Sequence, residues 1–237
     1  MTHKPSDARR PALYGRRQGH RLRPGRARLF DERLPELRID APAPDVPPLD
    51  PLSAFAPGIR AVWLEIGFGA GEHLAAQASA NPEVGILGCE PFVNGVAALL
   101  SRIDKLGLNN IRIYPDDAMG LIGNLAESSV ARAFILFPDP WPKTRHHKRR
   151  LVQKPLLDAL AHLLTDGAEL RLATDHCGYA RWIVNRCRRH EAFEWTARCA
   201  RDWRVRPVDW PETRYEAKAR GTGRAGVFLT FRRRPRG

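Results

Sequence analysis

The chain has 237 residues, enough to bury one full core, and 39 Lys and Arg against 26 Asp and Glu give it a formal charge of +13. A balance this basic points to a polyanionic partner, nucleic acid first, with a merely soluble basic surface as the other reading. No apolar run approaches a membrane span, no hydrophobic signal core opens the chain, and Cys89, Cys177, Cys187 and Cys199 show no C-x-x-C pairing; this sets aside a membrane protein, a disulfide framework and a cysteine zinc site.

Residues 1–57 read as a basic, proline-rich arm and 58–237 as one folded domain. Arg9, Arg10, Arg16, Arg17, Arg21, Arg23, Arg26 and Arg28, with Tyr14 and Phe30 among them, show little apolar periodicity. Such an arm is expected to be partly disordered and mobile unless something docks it. It can lie along phosphates or stay a solvated tail. It also has the Arg-rich, acid-poor composition of a transit peptide, although reduced cysteines fit a cytoplasmic setting. Pro35, Pro42, Pro44, Pro47, Pro48, Pro51 and Pro57 then predict a stiff, extended lead-in.

From Ala61 short apolar runs alternate with amphipathic segments. Strands are expected at 61–66, 84–89, 111–114, 132–137 and 168–173. A helical pattern fills 72–80. Val96, Leu99, Leu100 and Ile103 follow a helical spacing, as do Leu156, Leu157, Leu160, Leu163 and Leu164, then Tyr179, Trp182, Ile183 and Cys187. Two further runs, 193–199 and 226–232, have no helix of clear period between them. The pattern predicts an α/β fold: a mostly parallel, Rossmann-like seven-stranded sheet with an antiparallel C-terminal edge and helices on both faces. No surface helix is apolar enough to suggest an oligomer, so a monomer is expected.

The stretch Glu65-Ile-Gly67-Phe-Gly69-Ala-Gly71 ends the first strand and opens a helix. Strand, glycine loop and helix make a nucleotide-binding turn, because missing Cβ atoms let a ligand lie against the backbone. The third glycine comes one residue earlier than in G-x-G-x-x-G, so the loop alone does not choose the nucleotide. In an open parallel sheet the ligand lies beyond the carboxyl ends of the strands, and four predicted strands end in acids. Glu65 precedes the loop. Glu90 suits the two hydroxyls of a ribose, which nicotinamide and S-adenosylmethionine cofactors share. Asp116 or Asp117 can meet an adenine amino group, and Asp139 lies in Phe137-Pro-Asp-Pro-Trp-Pro-Lys143.

Pro138, Pro140 and Pro142 forbid a helix there and are expected to hold the backbone extended, fixing Asp139 and Trp141 at the sheet edge. Arg145, Lys148, Arg149 and Arg150 follow, a basic run suited to phosphates beside a pinned purine. Adjacent His146 and His147 point apart, and nothing completes a cluster, so no metal is expected.

These residues resemble the tRNA (guanine-N7)-methyltransferase family, whose hallmark is P-D-P-W followed by a Lys and a basic run. The likeness continues in Leu172-Ala-Thr-Asp175 and Thr213-Arg-Tyr-Glu216, followed by Lys218, Gly221 and Gly223, and covers roughly residues 60–232. Arg16-Arg-Gln-Gly19 is similar to an N-terminal signature of the family. Pro142 departs from it, standing where His is frequent. The resemblance implies a class I methyltransferase that uses S-adenosylmethionine, with cofactor contacts at Glu65, Gly67, Gly69, Gly71, Glu90, Asp117 and Asp139. It makes Asp139 the catalytic position as well. Lys143, Asp175, Thr213, Arg214, Tyr215 and Glu216 would meet the tRNA, and the target would be N7 of a variable-loop guanosine, position 46 in standard tRNA numbering.

N7 of neutral guanine already carries a lone pair, so the reaction needs no base. Placement is the enzyme's task and can contribute about 7–11 kcal/mol. A nicotinamide oxidoreductase shares the fold and Glu90 but does not account for Glu65 or the basic proline loop. A non-catalytic RNA-binding protein explains the charge, yet not four acids along one ligand edge.

Overall fold

The structure is a computed structural model and describes residues 14–43, 45–211 and 225–237. Short apolar runs become strands because both their faces are covered. In β1 (Ala61–Ile66), Val62, Leu64 and Ile66 enter one core, while Trp63 on the opposite side packs with another. With β2 (Val84–Cys89), β3 (Ile111–Tyr114), β4 (Val130–Leu136), β5 (Leu164–Thr174), β6 (Phe193–Trp195) and β7 (Val227–Arg233) it forms a seven-stranded sheet. The order is β3-β2-β1-β4-β5-β7-β6. The first five strands run parallel, and β7 lies antiparallel to both β5 and β6.

The first three strands match their predicted bounds. β5 reaches back to Leu164, a residue the helical spacing had claimed. β6 stops at Trp195 rather than 199. The Asp202 carboxylate accepts the Arg198 and Cys199 N–H groups, turning the chain into the short helix α7 (Arg201–Arg204).

Three helices, α1 (Pro24–Leu37), α2 (Glu72–Ala80) and α3 (Val93–Leu106), cover β2 and β3 on one face. The helices α4 (Met119–Ile122), α5 (Lys154–Leu163) and α6 (Cys177–Arg188) close the larger core on the other. On the α2 face, no helix among the described residues lies over β4, β5 and β7. Trp210 lies there instead, packed with Phe134, Ala173 and Phe228.

α1 corrects the reading of the arm. Phe30, Leu34 and Leu37 sit at i, i+4, i+7, and Leu34 and Leu37 are buried in the cluster that includes α3. Burying a leucine contributes about 1.5–3 kcal/mol, enough to hold a helix that is charged elsewhere. Pro24 occupies the first turn, where its missing N–H costs nothing, and Pro35 lies inside the helix rather than in an extended lead-in. Beyond α1, Arg38 pairs with Ile113, which covers the exposed edge of β3. No described helix is long and apolar enough to cross a membrane.

Candidate active site

The glycine loop leaves β1 and bends by left-handed backbone. Gly67, Gly69 and Gly71 have φ of 74°, 57° and 74°, values that side-chain-bearing residues rarely adopt. The start of α3 comes so close that a Cβ on Gly95 would lie 2.3 Å from the Gly69 carbonyl oxygen. Glu90, at the end of β2, locks this arrangement. Its Oε2 accepts the Gly69 N–H at 2.8 Å and its Oε1 the Phe92 N–H at 3.0 Å. One N–H per oxygen leaves each oxygen a further lone pair for a ligand hydroxyl. Burial raises the Glu90 pKa above the usual carboxylate value; Glu65 and Asp139 add to the rise, and the two N–H groups oppose it.

The acids do gather. Glu65 and Asp139 act electrostatically on Glu90, and Asp117 and Glu90 act on the buried Cys89 thiol. Glu65 is 2% exposed, with Oε2 2.7 Å from His73 Nδ1. Asp117 follows β3 and accepts the Met119 N–H at 3.0 Å, while Asp116 accepts an N–H of Arg17 at 2.7 Å. Asp139 is exposed in the loop after β4, and Asp175 is half-buried after the adjacent β5. Lys143 is exposed, and its carbonyl accepts the His146 N–H at 2.8 Å. Thr213, Arg214, Tyr215 and Glu216 lie outside the described residues, as do Lys218, Gly221 and Gly223. Among the described residues no His, Cys, Asp and Glu group of metal-binding size occurs.

The P-D-P-W loop is not uniformly extended, as its prolines had suggested. Phe137 and Trp141, each just before a proline, have φ of 50° and 41°. Non-glycine residues held there cost of order 1–3 kcal/mol each and persist only when neighbours enforce them. The Phe137 N–H donates to the Ala173 carbonyl at 2.8 Å, tying one end to β5. At the other end Arg150 Nε donates to the Pro140 carbonyl at 2.9 Å. Arg150 is 3% exposed, its guanidinium 5.1 Å from the Tyr179 ring centre and 5.0 Å from that of Trp182. It is a loop anchor, so the expectation that the whole run 145–150 serves phosphates is corrected. Lys143, Arg145 and Lys148 remain exposed. His146 turns to Trp141 and His147 to Trp182, apart as adjacent residues must.

The arm supplies residues that sequence reasoning had left without a role. Asn94 holds the arm at two points, its Oδ1 accepting the Gly19 N–H at 2.8 Å and its Nδ2 donating to the His20 carbonyl at 2.8 Å. The Val93 N–H donates to the Arg17 carbonyl at 2.9 Å. Arg149 lies between the rings of Tyr14 and Trp141, 5.2 and 4.9 Å away. The chain from Tyr14 to His20 thus runs from the P-D-P-W loop to the start of α3. Arg16-Arg-Gln-Gly19 was the one signal of it. Outside the glycine loop, Arg26, Arg102 and Lys105 rim a cleft of about 620 Å³ floored by Ala70, Phe92 and Ala98.

Known proteins resemble this chain at two levels. A family model described as "Putative methyltransferase" matches residues 60–229. A tRNA (guanine-N(7)-)-methyltransferase of Rhodospirillum rubrum is 50% identical over 237 residues, 100% of this chain and 92% of that protein. The Agrobacterium fabrum protein of the same name is 44% identical over 99% of this chain and 100% of its own. Among solved structures, the 16S rRNA methyltransferase KamB matches with a TM-score of 0.55 at 16% identity, over 75% of this chain and 90% of that one. The antibiotic-resistance methyltransferase Kmr gives 0.51 at 19%, over 78% and 92%. At those identities the structures speak for the Rossmann-like methyltransferase fold alone, whereas the sequence relatives go further: this chain belongs to the tRNA (guanine-N7)-methyltransferase family.

Proposed function

We propose that this enzyme uses S-adenosylmethionine to methylate N7 of guanosine 46 in the variable loop of tRNA. The observation that carries the reading is the left-handed glycine loop locked by Glu90, with Asp139 close enough to act electrostatically on that same carboxylate. The site suits an adenosine-bearing cofactor: a bare backbone at Gly67, Gly69 and Gly71, a two-oxygen acceptor at Glu90 for a ribose, and Asp117 at the end of β3 for an amino group. When bound, S-adenosylmethionine supplies an electrophilic methyl group on a sulfonium.

The chain's own residues supply position and charge. Guanine N7 needs no deprotonation, but methylation leaves the purine cationic, and the Asp139 carboxylate stabilises that charge. In this reading Asp175 and Glu216 hold the guanine N1–H and amino edge, and Lys143, Thr213, Arg214 and Tyr215 also serve the tRNA. Arg145 and Lys148, and Arg21, Arg23 and Arg26 on the arm side, offer exposed cations to the phosphates.

The test is transfer of a labelled methyl group to unmodified tRNA carrying guanosine at position 46, beside a matched tRNA with adenosine there. Label on the first alone, mapped by cleavage at N7-methylguanosine, is the expected result. Label on both tRNAs contradicts the assigned position, and label on neither contradicts the substrate.

A further inference from the structure

The chemistry above leaves one buried polar chain without a role. His73 and Gln77, on α2, are 2% and 4% exposed, and Glu65 is 2% exposed. Side chains so polar stay buried only when their hydrogen bonds are made. Here Glu65 Oε2 is 2.7 Å from His73 Nδ1, His73 Nε2 is 3.3 Å from Gln77 Nε2, and Gln77 Nε2 donates to the Asp209 carbonyl at 2.6 Å.

The direction of every proton follows. An amide nitrogen only donates, so Gln77 gives one N–H to Asp209 and the other to His73 Nε2. The orientation of that amide is supported by Asn81, whose Nδ2 donates to Gln77 Oε1 at 3.4 Å. His73 Nε2 is therefore the acceptor. With Nε2 accepting, His73 Nδ1 is left to donate to the Glu65 carboxylate.

The far end of the chain is also fixed. The Asp209 carboxylate meets Arg171 Nη1 at 2.6 Å and Arg132 Nη1 at 3.8 Å. Trp210, 5% exposed, packs edge-on to His73 with ring centres 5.9 Å apart. His73 thus touches both the carboxylate at the glycine loop and the segment that leads, three residues after Trp210, into Thr213–Glu216. Stability alone does not call for such a chain, because well-packed apolar side chains in place of buried polar groups are frequently as stable or more so.

We propose that His73 and Gln77 are positioning residues that link Glu65 to the 207–210 segment and so couple cofactor affinity to tRNA affinity. The inference rests on the proposed function, in which 213–216 serve the guanosine, and on the cofactor contact that the family resemblance implies at Glu65. Coupling of this kind is reciprocal and typically about 5–150-fold.

The experiment uses the full-length enzyme, with S-adenosylhomocysteine titrated calorimetrically in the absence and presence of saturating unmodified tRNA. In the wild type the two dissociation constants should differ by about fivefold or more. Gln77→Leu leaves the Glu65–His73 pair intact. It should keep the tRNA-free constant within about twofold, bring the ratio to about one and raise KM for tRNA with kcat retained. His73→Leu should weaken S-adenosylhomocysteine roughly tenfold even without tRNA, which is about 1.4 kcal/mol. His73→Asn keeps an N–H near the Nδ1 position; it should recover that affinity but not the coupling. Should His73→Leu fail to fold, Gln77→Leu and His73→Asn still decide the matter.

A Gln77→Leu enzyme with the wild-type ratio, changed only in Tm, overturns the proposal. So does a wild type that methylates tRNA with a ratio near one, and there the functional assignment stands. A wild type that neither binds S-adenosylhomocysteine nor methylates tRNA fails at the underlying function instead.

Discussion

The glycine loop and the P-D-P-W loop share the carboxyl edge of one sheet, yet opposite means hold them in shape. The first is fixed by its own backbone: three left-handed glycines, a close approach from Gly95, and Glu90 bonded to two N–H groups. The second is fixed from a distance. Its left-handed Phe137 and Trp141 are held by β5, by Arg150 wedged against α6, and by Arg149 beneath Tyr14 of the arm. The glycine loop is thus built locally, while the loop bearing Asp139 depends on distant elements, β5, α6 and the arm. Damage to the first should appear in cofactor affinity, and damage to the second in turnover.

Gly95→Val is the most severe break. Its side chain begins where the Gly69 carbonyl lies, so the loop must shift by an ångström or more, and S-adenosylhomocysteine affinity should fall roughly hundredfold or more by calorimetry. Arg150→Met attacks the other loop. Losing the hydrogen bond to Pro140 and two ring contacts should cost about 2–4 kcal/mol in denaturant unfolding. kcat should drop tenfold or more, while S-adenosylhomocysteine affinity holds within about threefold. If affinity falls in step with turnover, the two loops are not separately supported.

A gentler probe is pH. Because the Glu90 pKa is raised by burial, its carboxylate is protonated at a higher pH than an ordinary glutamate, and S-adenosylhomocysteine binding should weaken on acidification before pH reaches the ordinary glutamate value of 4.5. The stability effect has the opposite sign. Above 4.5 the unfolded state gives up this proton while the folded state keeps it, so the Glu90 contribution to stability falls as pH rises to the raised value. Glu90→Gln should flatten both profiles, read by calorimetry and by thermal melts across pH 4 to 8. The smallest effect belongs to Arg17→Ala. Its ion pair with Asp116 is half exposed and contributes about 0–1 kcal/mol, so cofactor affinity should change only two- to threefold, and less at high salt.

The two loops also differ in how much of them could be read from sequence. Strand, glycines and helix are contiguous, so the first was legible whole, as were the strand-end acids that meet there. Arg150 was not, because a buried anchor and a phosphate ligand are the same residue type, and the anchor's partners, Tyr179 and Trp182, lie on another element. α1 escaped notice because Phe30, Leu34 and Leu37 are diluted by arginines, and only packing against α3 makes the helix worthwhile. His73 and Gln77 looked like any i, i+4 pair on a short helix. Their significance comes from Asp209, which only the folded chain brings to them.

The central claim is that the Asp139 carboxylate acts on the reaction beyond any part it has in holding the cofactor. Asp139→Asn keeps the shape of the side chain and removes the charge, and single-turnover methyl transfer to guanosine-46 tRNA reads the consequence. The account predicts a fall of roughly hundredfold in the rate, with S-adenosylhomocysteine affinity and tRNA binding within about threefold of wild type. Turnover at the wild-type rate would contradict it, as would a loss explained entirely by weaker cofactor binding.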